Sequence, residues 1–275
     1  MKMEMHSHTN YSKGTIVIQD GVDSPEEIIK SAAEKGLNGI FITDHDVIHG
    51  AEEAQKYAKK YKIRVFKGEE VNTAKGHILA LGIEERILPG KSLEETIDLI
   101  HDQGGIAVAA HPFDVKRQGV GKECVKCDAI EFHNSLCLDR FSNMKAKRFG
   151  KVNKLNGISA SDAHSRRMIG MGITETKSDS LDSILKDIKY GRVQLVNSYT
   201  PARVVADAIV RRLQLSYPYT LNYINKNYSG PKRVISRKML SLVNKSPGKI
   251  DYMFNVMTYI SMGAIFLYAA ARQIV

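Results

Sequence analysis

Histidine and carboxylate side chains recur in short motifs along the chain up to residue 164. The segment H-S-H (residues 6–8) would place two imidazoles on one face of a strand, because strand side chains alternate with period two. The segment S-D-A-H (residues 161–164) repeats this spacing with a carboxylate and an imidazole. Two such side chains on one face can bind the same divalent cation. Each motif alone is a weak signal, because a lone histidine is more often a packed residue.

Further donors of the same kind follow other apolar segments. They are His45 in T-D-H-D, Glu69 and Glu70 in G-E-E-V, His77 in G-H-I-L, and His111 in A-A-H-P-F. Burying so many polar groups would be costly unless a cation bound them. Mixed histidine and carboxylate ligation suits Zn²⁺, Mn²⁺ or Fe²⁺ rather than Ca²⁺. The set therefore predicts a metal cluster, with Asp44 and Asp46 as supporting groups around His45.

Alternating strand-like and helix-like segments up to about residue 200 must position these donors. Helices are predicted after Ser24 and Ser92, where S-P-E-E and S-L-E-E match capping boxes closed by Glu27 and Glu95. Repeated βα units indicate an α/β fold with a parallel sheet, either closed into a barrel or doubly wound. Ligands bind at the carboxyl ends of parallel strands, where most of the motifs fall.

The composition and the cysteine content indicate an ordinary globular protein. The hydrophobic content of 43% does not indicate disorder. The first residues do not resemble a signal peptide, so we expect a cytoplasmic protein. Three cysteines are an odd number, which favours reduced thiols over disulfides. Cys124 and Cys127 form an isolated C-x-x-C and Cys137 stands apart, so thiols are a better interpretation than a zinc knuckle.

The net charge of +10 is concentrated at the C-terminal end. Residues 1–200 contain 29 Lys and Arg against 28 Asp and Glu, whereas residues 201–275 contain 11 against two. Such asymmetry indicates an anionic partner, either a membrane surface or nucleic acid. Residues 253–271 lack charge and are just long enough to span a bilayer, but polar residues also allow a buried helix. The basic stretch before them favours membrane contact through residues 231–271.

The ordered motifs H-S-H, T-D-H-D, G-E-E-V, G-H-I-L-A-L-G, A-H-P-F and S-D-A-H resemble the PHP (polymerase and histidinol phosphatase) family of metal-dependent phosphoesterases. The resemblance covers residues 1 to about 200 and implies a distorted (βα)7 barrel. Residues 201–275 would be a basic helical extension of this PHP domain. The family usually has an acidic or histidine ligand soon after H-x-H, where this chain has Ser12, Lys13 and Gly14. The phrase D-G-V-D-S-P-E-E instead makes Asp20 the candidate, displaced by an insertion around K-G-T-I-V-I-Q, unless Asp20 only begins a turn.

The resemblance implies three divalent metal ions, as Mn, Zn or Fe. His6, His8, Glu70 and Asp162 would bind the first ion, and Glu70 would bridge to a second with His77 and His111. Asp20, His45 and His164 would bind the third. Glu70 is chosen over Glu69 because the family glutamate is the second residue after the glycine, here Gly68. Among the ligands, Glu70, His111 and Asp162 are the expected catalytic residues.

The implied reaction is hydrolysis of a phosphate ester through attack by a metal-bridging hydroxide. Stand-alone members of the family suggest a nucleotide substrate, such as a nucleoside 3′,5′-bisphosphate or the 5′-end of a short oligonucleotide. The alternatives are a histidinol-phosphatase-like small-molecule phosphatase, and a regulatory or binding protein tethered to membrane or nucleic acid. Arg166 and Arg167 are candidates for binding a phosphate group of the substrate, or else plain surface charges. His133 and Asn134 are expected near the substrate.

Overall fold

The computed structural model describes residues 1–274 as an α/β barrel followed by a group of helices. The strands are β1 (Lys2–Glu4), β2 (Gly39–Ile42), β3 (Arg64–Asn72), β4 (His77–Leu81), β5 (Ile106–Ala109), β6 (Ala129–Asn134), β7 (Gly157–Ala160), β8 (Gly172–Glu175) and β9 (Gln194–Asn197). The helices are α1 (Pro25–Glu34), α2 (His49–Gln55), α3 (Ala58–Tyr61), α4 (Leu93–Asp102), α5 (Phe141–Val152), α6 (Leu181–Lys189), α7 (Ala202–Leu215), α8 (Tyr217–Asn227), α9 (Gly230–Leu242) and α10 (Ile250–Ile274).

All nine of these strands form one curved sheet, in the order β7-β6-β5-β4-β3-β2-β1-β8-β9. The runs β1-β2-β3 and β5-β6-β7 are parallel, whereas β4, β8 and β9 pair antiparallel with their neighbours. The ends of the sheet approach each other, since the Thr174 hydroxyl of β8 donates to the Ser159 carbonyl of β7 at 2.8 Å. The predicted α/β barrel is confirmed, and it is nearly closed.

Apolar side chains fill the barrel and close one of its ends. Met3, Met5, Phe41, Leu79 and Val108 are fully buried inside it. The same cluster contains Ile184, Leu185 and Ile188, which all lie on one face of α6. Two other apolar clusters join the outside of the sheet to the surrounding helices. Because α6 blocks one end of the barrel, the other end is left for polar side chains.

The helices α7–α10 pack on the barrel through α7. Val204, Val205 and Ala208 of α7 share an apolar cluster with Ile28 and Met168 of the barrel. The helix α10 contacts α7 and α5, but much of its surface is exposed. Its segment Ile250–Ala271 has a mean hydropathy of 1.4, and only 6% of its apolar window is buried. Residues 253–271 therefore pack on the domain with most of their surface exposed, and one apolar helix alone is weak evidence for a membrane span.

The segment between Lys13 and Gln19, where the sequence predicts an insertion, is a short hairpin that contacts these helices. Lys13 and Gln19 form an isolated antiparallel bridge at its base. The Gln19 backbone N–H donates to the Ser216 hydroxyl at 2.9 Å, and the Tyr219 hydroxyl donates to the Thr15 carbonyl at 3.2 Å. The insertion and the C-terminal helices are therefore packed against each other.

One of the two predicted capping boxes forms completely. The Ser24 hydroxyl accepts from the Glu27 backbone N–H, and the Glu27 carboxylate accepts from the Ser24 backbone N–H at 2.9 Å. The Ser92 hydroxyl likewise accepts from the Glu95 N–H at 3.1 Å, but the Glu95 carboxylate pairs with Lys91. The second helix therefore has the serine cap without the reciprocal bond.

Replacing Ser24 by alanine should lower the free energy of unfolding by about 1 kcal/mol, since the first turn of α1 loses its side-chain acceptor. Urea denaturation followed by circular dichroism measures this change. Ser241→Ala, at an exposed position of α9, is the control and should change stability by less than about 0.5 kcal/mol. Equal stability of Ser24→Ala and the wild type would show that the cap contributes nothing.

Candidate metal centre

The open end of the barrel collects the nine side chains that the sequence nominates as metal ligands. They are His6, His8, Asp20, His45, Glu70, His77, His111, Asp162 and His164. Most follow the carboxyl end of a strand, and all but partly exposed His45 are buried. In the described residues, four overlapping groups of donor atoms drawn from this set lie close enough to share a cation. The structure thus places the nominated residues together.

Glu70 occupies the middle of the cluster. Its Oε2 atom is 3.1 Å from His6 Nε2, 3.3 Å from His8 Nε2 and 3.3 Å from His45 Nδ1. Its Oε1 atom is 2.8 Å from His77 Nδ1 and 3.1 Å from His111 Nε2. One buried carboxylate therefore faces five imidazoles.

The preceding residue, Glu69, points to the opposite side of β3. Successive side chains of a strand face opposite ways, and the Glu69 carboxylate accepts from the Ile87 backbone N–H at 2.8 Å. Burial raises the pKa of Glu69 to about 7. The structure thus agrees with the choice of Glu70 over Glu69 as the residue that faces the other donors.

His6 and His8 direct their Nε2 atoms at nearly the same point. These two nitrogens are 3.0 Å apart, and Asp162 Oδ1 is 3.5 Å from the first and 3.3 Å from the second. The buried Nδ1 atom of His45 lies near Glu70 without forming a hydrogen bond. Converging imidazole nitrogens, an unpartnered buried nitrogen and carboxylate oxygens are a donor set that fits divalent transition metals.

Asp20 reaches the cluster despite the insertion before it. Its Oδ2 atom is 3.1 Å from His164 Nε2 and 3.9 Å from His45 Nε2. It also accepts from the Ser12 hydroxyl at 3.0 Å. The next residue must be glycine, because a Cβ atom on Gly21 would be 2.1 Å from the Thr9 carbonyl oxygen. Asp20 is therefore held by the residues around it rather than merely beginning a turn.

The electrostatics of the cluster balance burial against charge pairing. Burial lowers the pKa of His8, but hydrogen bonds with Asp162 and Glu70 outweigh this effect and raise it to about 10. The pKa of His111 is likewise raised to about 9, since Glu70 overcomes burial. Burial would raise the pKa of Glu70, yet His45 and His6 hold it well below its usual range. The carboxylates are therefore charged, and cations that bound here would displace protons from imidazoles.

Glu131 is a central residue that the sequence reasoning missed. Its Oε1 atom is 2.9 Å from His6 Nδ1, and its Oε2 atom accepts from the His111 backbone N–H at 2.7 Å. Asn134 Nδ2 donates both to Glu131 at 2.9 Å and to Asp162 at 3.1 Å. The available signal was a glutamate inside the buried strand A-I-E-F-H-N. Glu131 thus orients several of the nominated ligands.

Arg212 of α7 is a second residue that the motifs did not indicate. Its guanidinium bonds to Asp20 Oδ1, and the neighbouring Arg211 donates to buried Asp23 at 2.8 Å. Both arginines come from the region that carries none of the motifs. The C-terminal helices therefore contribute charge directly to the cluster.

Of the residues expected near the substrate, Asn134 reaches the cluster, whereas Arg166, Arg167 and His133 lie away from it. The Arg166 guanidinium donates to Glu27 at 2.7 Å, and the Arg167 guanidinium bonds to Asp207. The two are about half exposed on the outside of α1, in the arrangement expected of surface charges. His133 Nε2 bonds to the Ser198 carbonyl at 2.9 Å, and its ring packs against Tyr199. The structure therefore does not bring Arg166, Arg167 and His133 together with the nine donors.

The remaining polar and thiol groups have structural partners. Asp44 accepts from the Thr9 N–H at 2.6 Å and from the Thr9 hydroxyl at 2.7 Å. Asp46 accepts from the Asn72 N–H at 2.8 Å. Burial raises the pKa of the Cys124 and Cys127 thiols to about 11 and about 12, and both lie in an apolar cluster. All three cysteines are free and buried, as reduced thiols would be.

Glu131→Gln should weaken cation binding by about 10- to 100-fold, because a neutral amide orients His6 and His111 less well than a carboxylate does. Calorimetric titration of metal-free protein with Mn²⁺ measures the affinity. Glu123→Gln, at a partly exposed glutamate that pairs with Lys126, is the matched control and should bind like the wild type. Unchanged affinity of Glu131→Gln would contradict the role assigned to Glu131.

Asp20→Asn should leave the protein with one bound cation fewer, since an amide is a poorer ligand than a carboxylate. Elemental analysis of metal-saturated, desalted protein gives the number of ions per chain. Lys13→Asp restores an acid to the place where the family pattern has it, but Lys13 is exposed and should not change the metal content. If Asp20→Asn keeps the wild-type content, the third cation position is wrong.

Comparison with known proteins assigns the family. Residues 4–107 match the family model described as PHP domain, and residues 140–193 match the one described as PHP-associated. An uncharacterized protein of Methanocaldococcus jannaschii is 36% identical over 149 residues, which cover 52% of this chain and 87% of that protein. A protein of Haemophilus influenzae named 5′-3′ exoribonuclease is 34% identical over 88 residues, only 30% of either chain.

A solved structure has the same fold at low sequence identity. PsfC from Pseudomonas syringae superposes with a TM-score of 0.54 and 16% identity, over 78% of this chain and 98% of that one. The family match and the buried His, Glu and Asp cluster support a metal-dependent hydrolase. The chain therefore belongs to the PHP family, as its motifs indicated.

Proposed function

We propose that the chain hydrolyses phosphate esters at the cluster around Glu70 and releases inorganic phosphate. The observation that carries this proposal is that one buried carboxylate faces five imidazoles. Burying so many charged and polar donors costs free energy, and bound cations would compensate that cost. The family of the chain supports the same reaction class.

Three divalent cations would be held here, as Mn²⁺, Zn²⁺ or Fe²⁺. The first would be bound by His6, His8 and Asp162, the second by His77 and His111, and the third by Asp20, His45 and His164, with Glu70 shared by the first two. Such cations lower the pKa of water to near neutrality and neutralise the oxygens of a phosphate group. Glu70, His111 and Asp162 are the proposed catalytic ligands.

The surrounding residues keep these donors in place and supply charge for the substrate. Glu131 holds the ring of His6 through its Nδ1 atom and the backbone of His111 through its N–H. Arg212 neutralises Asp20 and borders the cavity that leads to His111, Asp162 and His164. A guanidinium can bind phosphate oxygens in a bidentate manner, so Arg212 takes the role that the sequence suggested for Arg166 and Arg167.

The first candidate substrate is a nucleotide, such as a nucleoside 3′,5′-bisphosphate or the 5′-end of a short oligonucleotide. The resemblance of the motifs to stand-alone PHP proteins supports this class, and one relative is named an exoribonuclease. A small-molecule phosphate ester of the histidinol phosphate type is the alternative within the same reaction. A purely regulatory protein would have less need of a complete donor set.

The test is metal-dependent phosphate release by the full chain. Protein stripped with a chelator should be inactive on p-nitrophenyl phosphate and regain activity with Mn²⁺. Glu70→Gln should lower kcat by at least about 100-fold, because it removes the central ligand. Glu69→Gln is the matched control at the adjacent residue, which faces away, and should retain activity within about threefold. Activity that is independent of metal, or a fully active Glu70→Gln, would refute the proposal.

A further inference from the structure

A cavity of about 230 Å³, here called the site cavity, opens onto the proposed metal cluster. Its polar end is lined by His111, Asp162, His164 and Arg212. One wall carries further polar side chains, Asp114, Lys116, Gln118, Asn134 and Asp139. The wall toward α7 and α10 is apolar and includes Leu136, Leu138, Val205, Ile209 and Ile265. A substrate entering here meets polar and charged groups near the cluster and hydrocarbon on the side of α7 and α10.

A second cavity of about 530 Å³, here called the apolar cavity, lies among the C-terminal helices. Its lining comes from α7, α8, α9 and α10, and from Ile16 and Val17 of the insertion. The lining is predominantly hydrocarbon, with residues such as Ile224, Leu240, Phe254 and Met257. Polar groups that could recognise a nucleobase are few.

The two cavities adjoin. Leu138, Val205, Ile209 and Ile265 border both of them, so these side chains lie between the site cavity and the apolar cavity. Protein interiors leave few voids larger than a water molecule, whereas ligand pockets commonly measure about 300–1,000 Å³. An apolar volume of this size beside a phosphate-hydrolysing site indicates an apolar part of the substrate.

We propose that the substrate is the phosphate monoester of a long-chain alcohol or a comparable lipid, with its phosphate at the cluster and its chain in the apolar cavity. This inference rests on the proposed phosphoesterase function, and it replaces the nucleotide, the first candidate substrate of that function, with a lipid phosphate. Water attacks phosphorus, the P–O bond to the chain breaks, and the alcohol oxygen takes up a proton, so that an alcohol and inorganic phosphate result. Arg212 stands where the charged head group meets the hydrocarbon walls.

The outer surface of the same helices fits the source of such a substrate, an anionic bilayer. Along α10, Phe254, Met257 and Ile265 line the apolar cavity, whereas Tyr259, Ile260 and Leu267 are more than half exposed. The helix α9 exposes Lys232, Arg233, Arg237 and Lys238. Exposed apolar residues beside cations are the features by which helices bind at anionic membrane surfaces. Membrane contact through residues 231–271 would therefore place the apolar cavity beside a lipid substrate.

Turnover of alkyl phosphates of increasing length tests the substrate class. Butyl, octyl and dodecyl phosphate, each below its micelle concentration, are compared with a nucleoside 3′,5′-bisphosphate in the presence of Mn²⁺. We expect kcat/KM to rise with chain length, by up to about fourfold for each methylene that is buried. Equal values for butyl and dodecyl phosphate, or a preference for the nucleotide, would overturn the inference. Absence of metal-dependent turnover of any substrate, including p-nitrophenyl phosphate, would instead refute the phosphoesterase function.

A pair of variants on α10 tests where the hydrocarbon chain of the substrate binds. Ile265→Trp enlarges a side chain that borders both cavities and should bring the ratio of kcat/KM for dodecyl and butyl phosphate close to one. Leu267→Trp places the same side chain on the exposed face of the helix and should keep the wild-type ratio. If both variants keep the wild-type ratio of kcat/KM, the hydrocarbon chain of the substrate does not occupy the apolar cavity and the proposal fails.

Vesicles distinguish the source of the substrate. Dodecyl phosphate in phosphatidylglycerol vesicles should be hydrolysed faster than in phosphatidylcholine vesicles if the basic helix brings the protein to an anionic bilayer. Equal rates in the two kinds of vesicle would show that the protein takes the dissolved amphiphile. They would overturn the claim that an anionic bilayer is the source of the substrate.

Discussion

The buried carboxylate of Glu70 is the constraint around which the barrel is arranged. A charged group without access to water is tolerated only when opposite charge and hydrogen bonds surround it. Here five imidazoles approach it from segments that are far apart in the chain. The nearly closed sheet, the helix α6 at its other end and the buried glutamate Glu131 hold those segments in place around one side chain.

Asp20 shows how the site is joined to the region that has no family motif. The insertion moves the acidic residue along the chain, but the hairpin that it forms returns Asp20 to His164. The same hairpin supports α7 and α8, and α7 returns Arg212 to Asp20. The C-terminal helices are therefore part of the site, although they could have been regarded from the sequence as a separate basic tail.

Patterns that depend on local chemistry predicted the structure best. The alternation of strands and helices indicated the α/β barrel, and S-P-E-E predicted the cap of α1 with its reciprocal bond. S-L-E-E predicted a second box that is only half formed, because Lys91 competes for Glu95. The motif order led to nine residues that the fold places at one end of the barrel. What could not be predicted depends on tertiary contacts: Glu131 looks like any glutamate in a strand, and Arg212 gains its position only from the packing of α7. Arg166 and Arg167 follow His164 directly, yet the chain turns outward there and pairs them with Glu27 and Asp207.

The contact between the insertion and the C-terminal helices makes each of these segments depend on the other. Ile16 and Val17 contribute to the wall of a cavity that otherwise belongs to α7–α10, and Gln19 bonds to the residue between α7 and α8. Neither segment has this partner without the other. The wall of the apolar cavity is therefore complete only when both segments are present, so a change in one of them alters a surface that the other also lines.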